Sequence, residues 1–288
     1  MTDGRGRLES GEPSVTAIGV ALRRAAHQLL DDPKVFDDPL ATKIIGDDAL
    51  ARLTAGLEQH RHPFNLALRA HVVARSRYAE DRLAQAHACG VRQYLVLGAG
   101  LDTFAWRNPF PDLQVFEVDH PSTQGWKRSR LEAVGVGAPG NLAFAPVDFS
   151  IQALGDALET AGFDRARPAF VSWLGVTMYL AEDAAMHTLA YLASLAEGSE
   201  AVFDFRISTE ALEPLARPAH EALAARVAAA GEPFLSGFDP ATLPGRLAAL
   251  GFTEVEVLDG PALNRLYFDG RADGLKLPDS SRIARARV

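Results

Sequence analysis

The chain has 288 residues, of which 48% are hydrophobic and 23% charged, a composition typical of a globular protein with a sizeable core. Its formal net charge of -8 gives no general attraction to nucleic acid or anionic membranes, so we expect neither as a partner. Cys89 is the only cysteine, which excludes an intrachain disulfide framework and a cysteine-based zinc site, and we expect no metal. No signal peptide or membrane-spanning run is visible, so we expect a cytoplasmic protein.

The N-terminal third of the sequence is expected to be helical. Residues 1–14 carry few large apolar side chains, and we expect a disordered tail there. Residues 15–90 should form a helical cap, interrupted where acids precede Pro33 and Pro39. Within the cap, residues 64–88 have apolar side chains at helical spacing, which predicts one long amphipathic helix packed on a core. The apolar stripe consists of Phe64, Leu68, Val72, Ala79, Leu83 and Ala86.

Arg75 falls within this stripe on a helical wheel, whereas Arg77 points to the opposite side. A guanidinium directed at the core needs an anionic partner, because burying an unpaired charge costs several kcal/mol. The free carboxylate of an amino-acid-bearing ligand would serve, held by two hydrogen bonds. A structural ion pair with an internal Asp or Glu would also serve, and the sequence leaves both open.

Short apolar runs alternate with helical segments in the middle of the chain. Five runs, at 93–97, 115–118, 142–147, 169–173 and 201–205, predict a mostly parallel sheet with helices on both faces. Two later runs, at 254–258 and 282–288, are expected to close one edge as a hairpin and bring the sheet to seven strands. We therefore expect one α/β domain over 15–288, with a core at 91–206, a helical lid inserted at 207–238, and a C-terminal helix and strands at 239–288.

Two glycines follow the first strand, in the sequence Gly98-Ala99-Gly100-Leu101-Asp102. Glycines at this point let the backbone turn sharply and pass close to a ligand. Thr103 stands where a dinucleotide-binding loop would place a third glycine, and the charge of Asp102 beside it would repel a pyrophosphate. The loop therefore favours a cationic or neutral adenosine ligand, although Asp102 could instead cap the next helix.

Acids also follow the second and third strands. In open α/β sheets ligands lie beyond the carboxyl ends of the strands, so these positions bear on the site. Asp119, which precedes His120, stands about twenty residues after the glycines, where an acid accepts hydrogen bonds from ribose hydroxyls. Asp148 could accept from an adenine amino group, with Phe149 beside the ring. The alternative is that these acids only cap loops.

The segment 172–180 follows the fourth strand, where catalytic loops of such sheets lie. Gly175 would allow close approach to a cofactor. We expect Met178 and Leu180 to pack in the core. Tyr179 has two open interpretations, since it would either orient a substrate or pack.

Together these residues resemble the S-adenosylmethionine-dependent methyltransferases related to leucine carboxyl methyltransferase, particularly their bacterial branch. The likeness covers most of residues 15–260 and weakens after Phe205. The motifs that carry it are Phe36-Asp37-Asp38-Pro39-Leu40-Ala41, Ala74-Arg75-Ser76-Arg77, Gly98 to Thr103, Val118 to Pro121 with Gln124, Asp148-Phe149 and Met178 to Leu180. The resemblance implies a Rossmann-like class I methyltransferase fold.

The resemblance also implies the roles of the residues at the site. It places Arg75 on the methionine carboxylate of the cofactor, and the loop of Gly98, Ala99, Gly100 and Asp102 beside its amino-acid part. It places Asp119 and His120 at the ribose, and Asp148 with Phe149 at the adenine. Many relatives have a glutamate where this chain has Leu174, so only a backbone role is carried over to Leu174 and Gly175.

The implied reaction transfers a methyl group from S-adenosylmethionine to a carboxylate or hydroxyl of a small molecule, such as a secondary metabolite, and leaves S-adenosylhomocysteine. A carboxylate is already ionised at neutral pH, whereas a hydroxyl would want a general base. His60, His62, His187 and His220 are available, and none is assigned as that base. The alternatives are a protein carboxyl methyltransferase, an NAD(P)-dependent oxidoreductase and a non-catalytic adenosine-cofactor binding protein. The acceptor, the role of the lid and the oligomeric state stay open.

Overall fold

The computed structural model describes residues 14–148 and 154–288. The strands are β1 (Gln93–Leu97), β2 (Gln114–Asp119), β3 (Leu142–Pro146), β4 (Ala169–Trp173), β5 (Glu200–Asp204), β6 (Glu254–Asp259) and β7 (Arg282–Arg287). The helices are α1 (Val15–Leu30), α2 (Ala41–Ile44), α3 (Asp47–Ala55), α4 (Pro63–Ala88), α5 (Phe104–Arg107), α6 (Pro121–Ala133), α7 (Leu154–Thr160), α8 (Glu182–Ala193), α9 (Arg217–Ala229), α10 (Leu243–Leu250) and α11 (Gly260–Tyr267). Short 3-10 turns lie at Leu57–Arg61 and Thr177–Tyr179.

The seven strands form one sheet in the order β3-β2-β1-β4-β5-β7-β6. The first five strands are parallel to one another and β7 is antiparallel to both of its neighbours, so the expected mostly parallel sheet is confirmed. All residues of β1, β4 and β5 are buried, because helices cover both faces of a parallel sheet. Leu95 and Leu97 of β1 face one core, whereas Tyr94 and Val96 face the other.

The last two strands pair as the expected hairpin, with β7 also paired to β5 and therefore inside the sheet. The connection between β6 and β7 contains α11. The C-terminal part from 239 onward thus holds two helices, α10 and α11, where one was expected. The α10 helix packs against α8 and β6, which explains why both helices are needed to cover the added strands.

The long helix of the cap is α4, and it fully buries half of the predicted stripe and partly buries the rest. Val72, Ala79 and Leu83 are buried, and Arg75 is only 6% exposed, whereas Arg77 lies at the surface. The helix α1 packs against α2 and α4, and a third apolar cluster lies between these cap helices and α6. Residue 14, assigned to the tail from the sequence, is Ser14, whose hydroxyl accepts from the amide of Ala17 and caps α1.

The segment 207–238 leaves and rejoins the sheet at the carboxyl end of β5. Phe238 donates its amide to Arg206 O at 2.9 Å, and Ser208 donates its amide to Phe238 O at 3.1 Å. The helix α9 within this segment has no buried residue, as expected of a lid outside the main core. Within the described ranges, no helix combines the length and apolar character needed to cross a membrane.

Candidate active site

The loop after β1 has the backbone that its glycines permit. Gly98 and Gly100 have φ angles of 64° and 50°, a region in which residues with a Cβ are strained. A Cβ on Gly98 would lie 2.2 Å from Val176 Cγ2, so the glycine loop directly contacts the loop after β4. Ala99 between them is buried, and its amide donates to Val118 O at 3.0 Å. The ends of β1, β2 and β4 therefore meet at one edge of the sheet.

Gly175 brings the loop after β4 against Arg75. Its φ is 74°, and a Cβ there would lie 2.6 Å from Arg75 Nη2. Only glycine leaves the guanidinium this close to a backbone. Leu174, beside it, is partly buried and packs against the core that includes β1 residues Tyr94 and Val96. Gly175 thus contributes its backbone and Leu174 its packing, and the backbone contact of either residue with a cofactor stays a prediction.

Asp204 at the end of β5 holds Arg75 in place. Its Oδ2 accepts from Arg75 Nη1 at 2.7 Å and contacts His71 Nε2 at 3.0 Å, while its Oδ1 accepts from the amide of Gly175. Burial alone would raise the pKa of Asp204, but Arg75, His71 and Gly175 outweigh it and hold the pKa well below its usual value. The structural ion pair anticipated for Arg75 is therefore present, and contact between Arg75 and a ligand carboxylate stays a prediction.

The acid that follows β2 supports the glycine loop. Asp119 Oδ2 accepts from the amide of Gly100, and Asp119 Oδ1 accepts from the amide of His120 at 2.6 Å. Burial raises the pKa of Asp119, and these two backbone hydrogen bonds oppose the rise. His120 contacts Ser122 Oγ through Nδ1 at 2.7 Å and caps α6. Asp119 thus lies against the glycine loop, and its contact with a ribose stays a prediction.

Asp102 bonds the start of the next helix, as the alternative of a helix-capping acid anticipated, and it also pairs with an arginine of α1. Its Oδ1 accepts from the amide of Phe104 at 2.7 Å, and its Oδ2 pairs with Arg24 Nη1 at 3.0 Å. Burial would raise the pKa of Asp102, but Arg24 and Arg107 hold it below its ordinary value. Because both oxygens already bind protein groups, Asp102 supports the loop from the cap side. Its predicted contact with a cofactor stays untested.

At the end of β3, Asp148 lies two residues beyond Pro146. Pro146 pairs with Asp119 in the sheet register, so Asp148 stands near the same edge. Phe149, predicted beside the adenine, falls outside the described residues.

Tyr179 lies between the β4 loop and the lid. Its ring centre is 5.4 Å from that of Phe234. Burial raises the pKa of Tyr179 to about 12, with Arg75 opposing the rise. The phenol therefore stays protonated at neutral pH, and can donate a hydrogen bond but cannot act as a base. Both interpretations of Tyr179 remain, since it packs on Phe234 and also faces the site.

The cap and the lid are tied together above the glycine loop. Glu232, three residues after α9, accepts from the amide of Val15 at 2.8 Å and from the amide of Thr16 at 3.1 Å. The hydroxyls of Ser14 and Thr16 bond to the same carboxylate. Next to them, a Cβ on Gly100 would lie 3.3 Å from Ala17 Cβ. We call this contact between Glu232 and residues 14–16 the clasp. It lies next to the glycine loop.

The histidines considered as bases occupy different places. His62 accepts from the amide of Phe64 and caps α4, and His187 is exposed. Burial lowers the pKa of His60 and of His220, with nearby arginines acting in the same direction. In the described parts of the chain, no group of three or more His, Cys, Asp or Glu side chains is arranged to hold a metal ion.

The geometry fits an adenosine ligand that carries an amino acid. Gly98, Gly100 and Gly175 let the backbone pass close to Val176, Ala17 and Arg75. Arg75, paired with Asp204, supplies a cation at one end of this loop cluster, and Asp119 supplies a carboxylate at the strand end. A pyrophosphate fits less well, because Asp102 and Asp119 place two acids around the loop.

Comparison with known proteins agrees with this geometry. The sequence profile described as leucine carboxyl methyltransferase matches residues 17–193. A relative from Bacillus subtilis, named as a candidate S-adenosyl-L-methionine-dependent methyltransferase, is 32% identical across 93% of this chain and 95% of its own length.

Solved structures share the fold. The crystal structure of a candidate methyltransferase from Thermobifida fusca has a TM-score of 0.59 at 19% identity, covering 97% of this chain and 96% of that one. A protein of the DUF574 family from Streptomyces avermitilis has a TM-score of 0.53 at 20% identity, covering 86% of this chain and 96% of that one. The expected Rossmann-like class I methyltransferase fold is thereby confirmed.

Proposed function

Because this chain belongs to the leucine carboxyl methyltransferase family and is an S-adenosylmethionine-dependent methyltransferase, we propose that it methylates an oxygen of a small molecule, a carboxylate or a hydroxyl. The observation that carries the proposal is the clasp. Glu232 of the segment after α9 binds residues 14–16, and the neighbouring Ala17 lies against Gly100, which supports a site enclosed by the cap and the lid. A covered site favours a small acceptor over the terminus of a folded protein.

The residues that would hold the cofactor lie around the glycine loop. Arg75 would bind its amino-acid carboxylate, Asp119 its ribose, and the backbone of Gly98 and Gly175 would pass beside it. When bound, S-adenosylmethionine supplies a methyl group already activated by its positively charged sulfur. The chain then contributes mainly by orienting the acceptor and excluding water.

The side chains near the site suit an oxygen that is ionised before it reacts. Tyr179, with a pKa raised to about 12 by burial, stays protonated at neutral pH and does not supply a phenolate base. His71 has both ring nitrogens engaged, with Asp204 at 3.0 Å and Ser281 Oγ at 3.2 Å. A carboxylate acceptor needs no base, so this environment favours a carboxylate over an alcohol.

The test is transfer of a labelled methyl group to a panel of organic acids and phenols, followed by mild alkaline hydrolysis of the product. We expect label on at least one small acid, released by base as an ester would release it. Base-stable label on nitrogen, carbon or sulfur would contradict oxygen transfer. Label appearing only on added protein carboxyl termini would overturn the small-molecule part.

A further inference from the structure

Arg206 lies where the chain leaves β5 and enters the lid segment. It stands two residues beyond β5, whose last residue, Asp204, holds Arg75. The Cζ atom of Arg206 lies 5.3 Å from the centre of the Phe234 ring, and that ring is 5.4 Å from the Tyr179 ring. Arg206 is thus placed under the lid, separated from Arg75 and the glycine loop by two aromatic side chains.

The guanidinium of Arg206 is not matched by an acid as the buried arginines are. Arg24 pairs with Asp38 at 2.6 Å, and Arg75 pairs with Asp204 at 2.7 Å. Across residues 14–148 and 154–288, no ion pair within 4.0 Å includes Arg206, and its buried Nε has no hydrogen-bond partner. Burial lowers the pKa of Arg206, and the exposed Glu210 opposes that change. A half-buried cation of this kind is stabilised when an anion binds.

His220 of α9 is a second group of the lid segment with an unmatched polar atom. Its Nδ1 is buried and is likewise without a partner in the described part of the chain. Its pKa is lowered first by burial and then by the charges of Arg206 and Arg282. Arg282 donates to the carbonyls of Asp279 and Ser281, so its donors are partly used. The neutral ring of His220 can donate one N–H to an anion that lies between it and Arg206.

We propose that Arg206 and His220 bind an acidic group of the methyl acceptor, and that Phe234 and Tyr179 contact its apolar body. The acceptor is then an organic acid, recognised under the lid by a charge-assisted hydrogen bond. This inference rests on the proposed function, since it concerns the acceptor side of the same site. It assigns recognition of the acid to residues that lie apart from Arg75 and the glycine loop.

The test uses the full chain saturated with S-adenosylhomocysteine and compares acids with their neutral amides. The probes are benzoate with benzamide, phenylacetate with phenylacetamide, and octanoate with octanamide, titrated by calorimetry and by ligand-observed NMR. We expect at least one acid to bind at millimolar concentration or below, at least tenfold more tightly than its amide. In Arg206→Met, the affinity for that acid should fall at least tenfold, and the affinity for the amide should not change.

Two further variants separate recognition from folding. Arg206→Lys keeps the positive charge and should lose less affinity than Arg206→Met, while His220→Gln should lose a smaller, several-fold factor. The matched control is Arg128→Met, which removes another arginine stacked on a phenylalanine, 5.2 Å from Phe144, and should leave acid binding unchanged. Melting temperature and S-adenosylhomocysteine affinity should stay at wild-type values in all of them.

The inference is overturned if acids and amides bind alike, if no acid binds the loaded wild-type chain at millimolar concentration, or if the Arg206 variants bind as the wild type does. Absence of S-adenosylhomocysteine binding to the wild type would instead contradict the proposed function. The two failures are therefore distinguishable in the same titrations.

Discussion

Replacing Asp204 by Asn should destabilise the chain more than any surface substitution, because Asp204 joins the cap to the sheet. Its side chain is fully buried and bonds Arg75, His71 and the amide of Gly175. The side-chain amide of Asn retains an acceptor for the backbone amide of Gly175. It leaves the buried guanidinium of Arg75 without a negatively charged partner. Removing one partner of a buried ion pair costs about 3–5 kcal/mol, and we expect a loss of unfolding free energy in that range.

The pH dependence of this loss tests its electrostatic origin. The pKa of Asp204 is lower in the folded chain than in the unfolded one. Its ionised form therefore stabilises the fold fully above about pH 4, and this contribution is lost as the pH falls through the folded pKa. The difference in unfolding free energy between wild type and Asp204→Asn should be constant from about pH 5 to pH 8 and should become smaller below about pH 4.

The assay is urea unfolding followed by circular dichroism at pH 3.5, 5 and 7, with Asp37→Asn at an exposed position as the matched control. The unfolding free energy of the control should stay within about 0.5 kcal/mol of that of wild type, as it does for surface substitutions. A difference for Asp204→Asn below about 1 kcal/mol at pH 7, or one that widens on acidification, would refute the reasoning.

Two further predictions concern the glycine loop and the clasp. Gly98→Ala should lower the free energy of unfolding, measured in urea, by about 2–5 kcal/mol, because it adds left-handed backbone strain and a Cβ that overlaps Val176. Adding Val176→Ala to the same chain should restore only the free energy lost to the overlap. A Gly98→Ala chain as stable as wild type would contradict this packing. Glu232→Ala should lower the free energy of unfolding by about 1 kcal/mol, as the loss of a helix cap does. The same variant should release S-adenosylhomocysteine several-fold faster in stopped-flow measurements. Glu221→Ala, at an exposed position on α9 of the same lid segment, is the control, and equal release rates in the two variants would show that the clasp does not cover the ligand.

The sheet could be predicted from the sequence because its strands are nearly continuous apolar runs. The bounds of β1 and β4 agree with the prediction, and the other strands differ by one residue at one or both ends. The glycines at 98 and 100 were also predictable, because a turn directly after a buried strand demands left-handed backbone. Where the signal is local and periodic, sequence and structure agree.

Long-range pairings were not predictable. Asp204 and Arg75 are separated by 129 residues, and the sequence could say only that Arg75 needs an anion. Glu232 bonds residues more than two hundred positions earlier, and a single glutamate after a helix carries no pattern that marks it as a cap. The second C-terminal helix was missed because a short helix between two strands resembles a connecting loop.

The most direct test of the site is calorimetric titration of the wild-type chain with S-adenosylhomocysteine and, separately, with NAD at one pH. We expect micromolar-range binding of S-adenosylhomocysteine and none of comparable strength for NAD. Asp119→Ala and Arg75→Lys should each weaken S-adenosylhomocysteine binding by about tenfold or more, since each loses a hydrogen bond to a charged group, while Asp37→Asn binds as wild type. Tighter binding of NAD, or unchanged S-adenosylhomocysteine affinity in both site variants, would contradict the account.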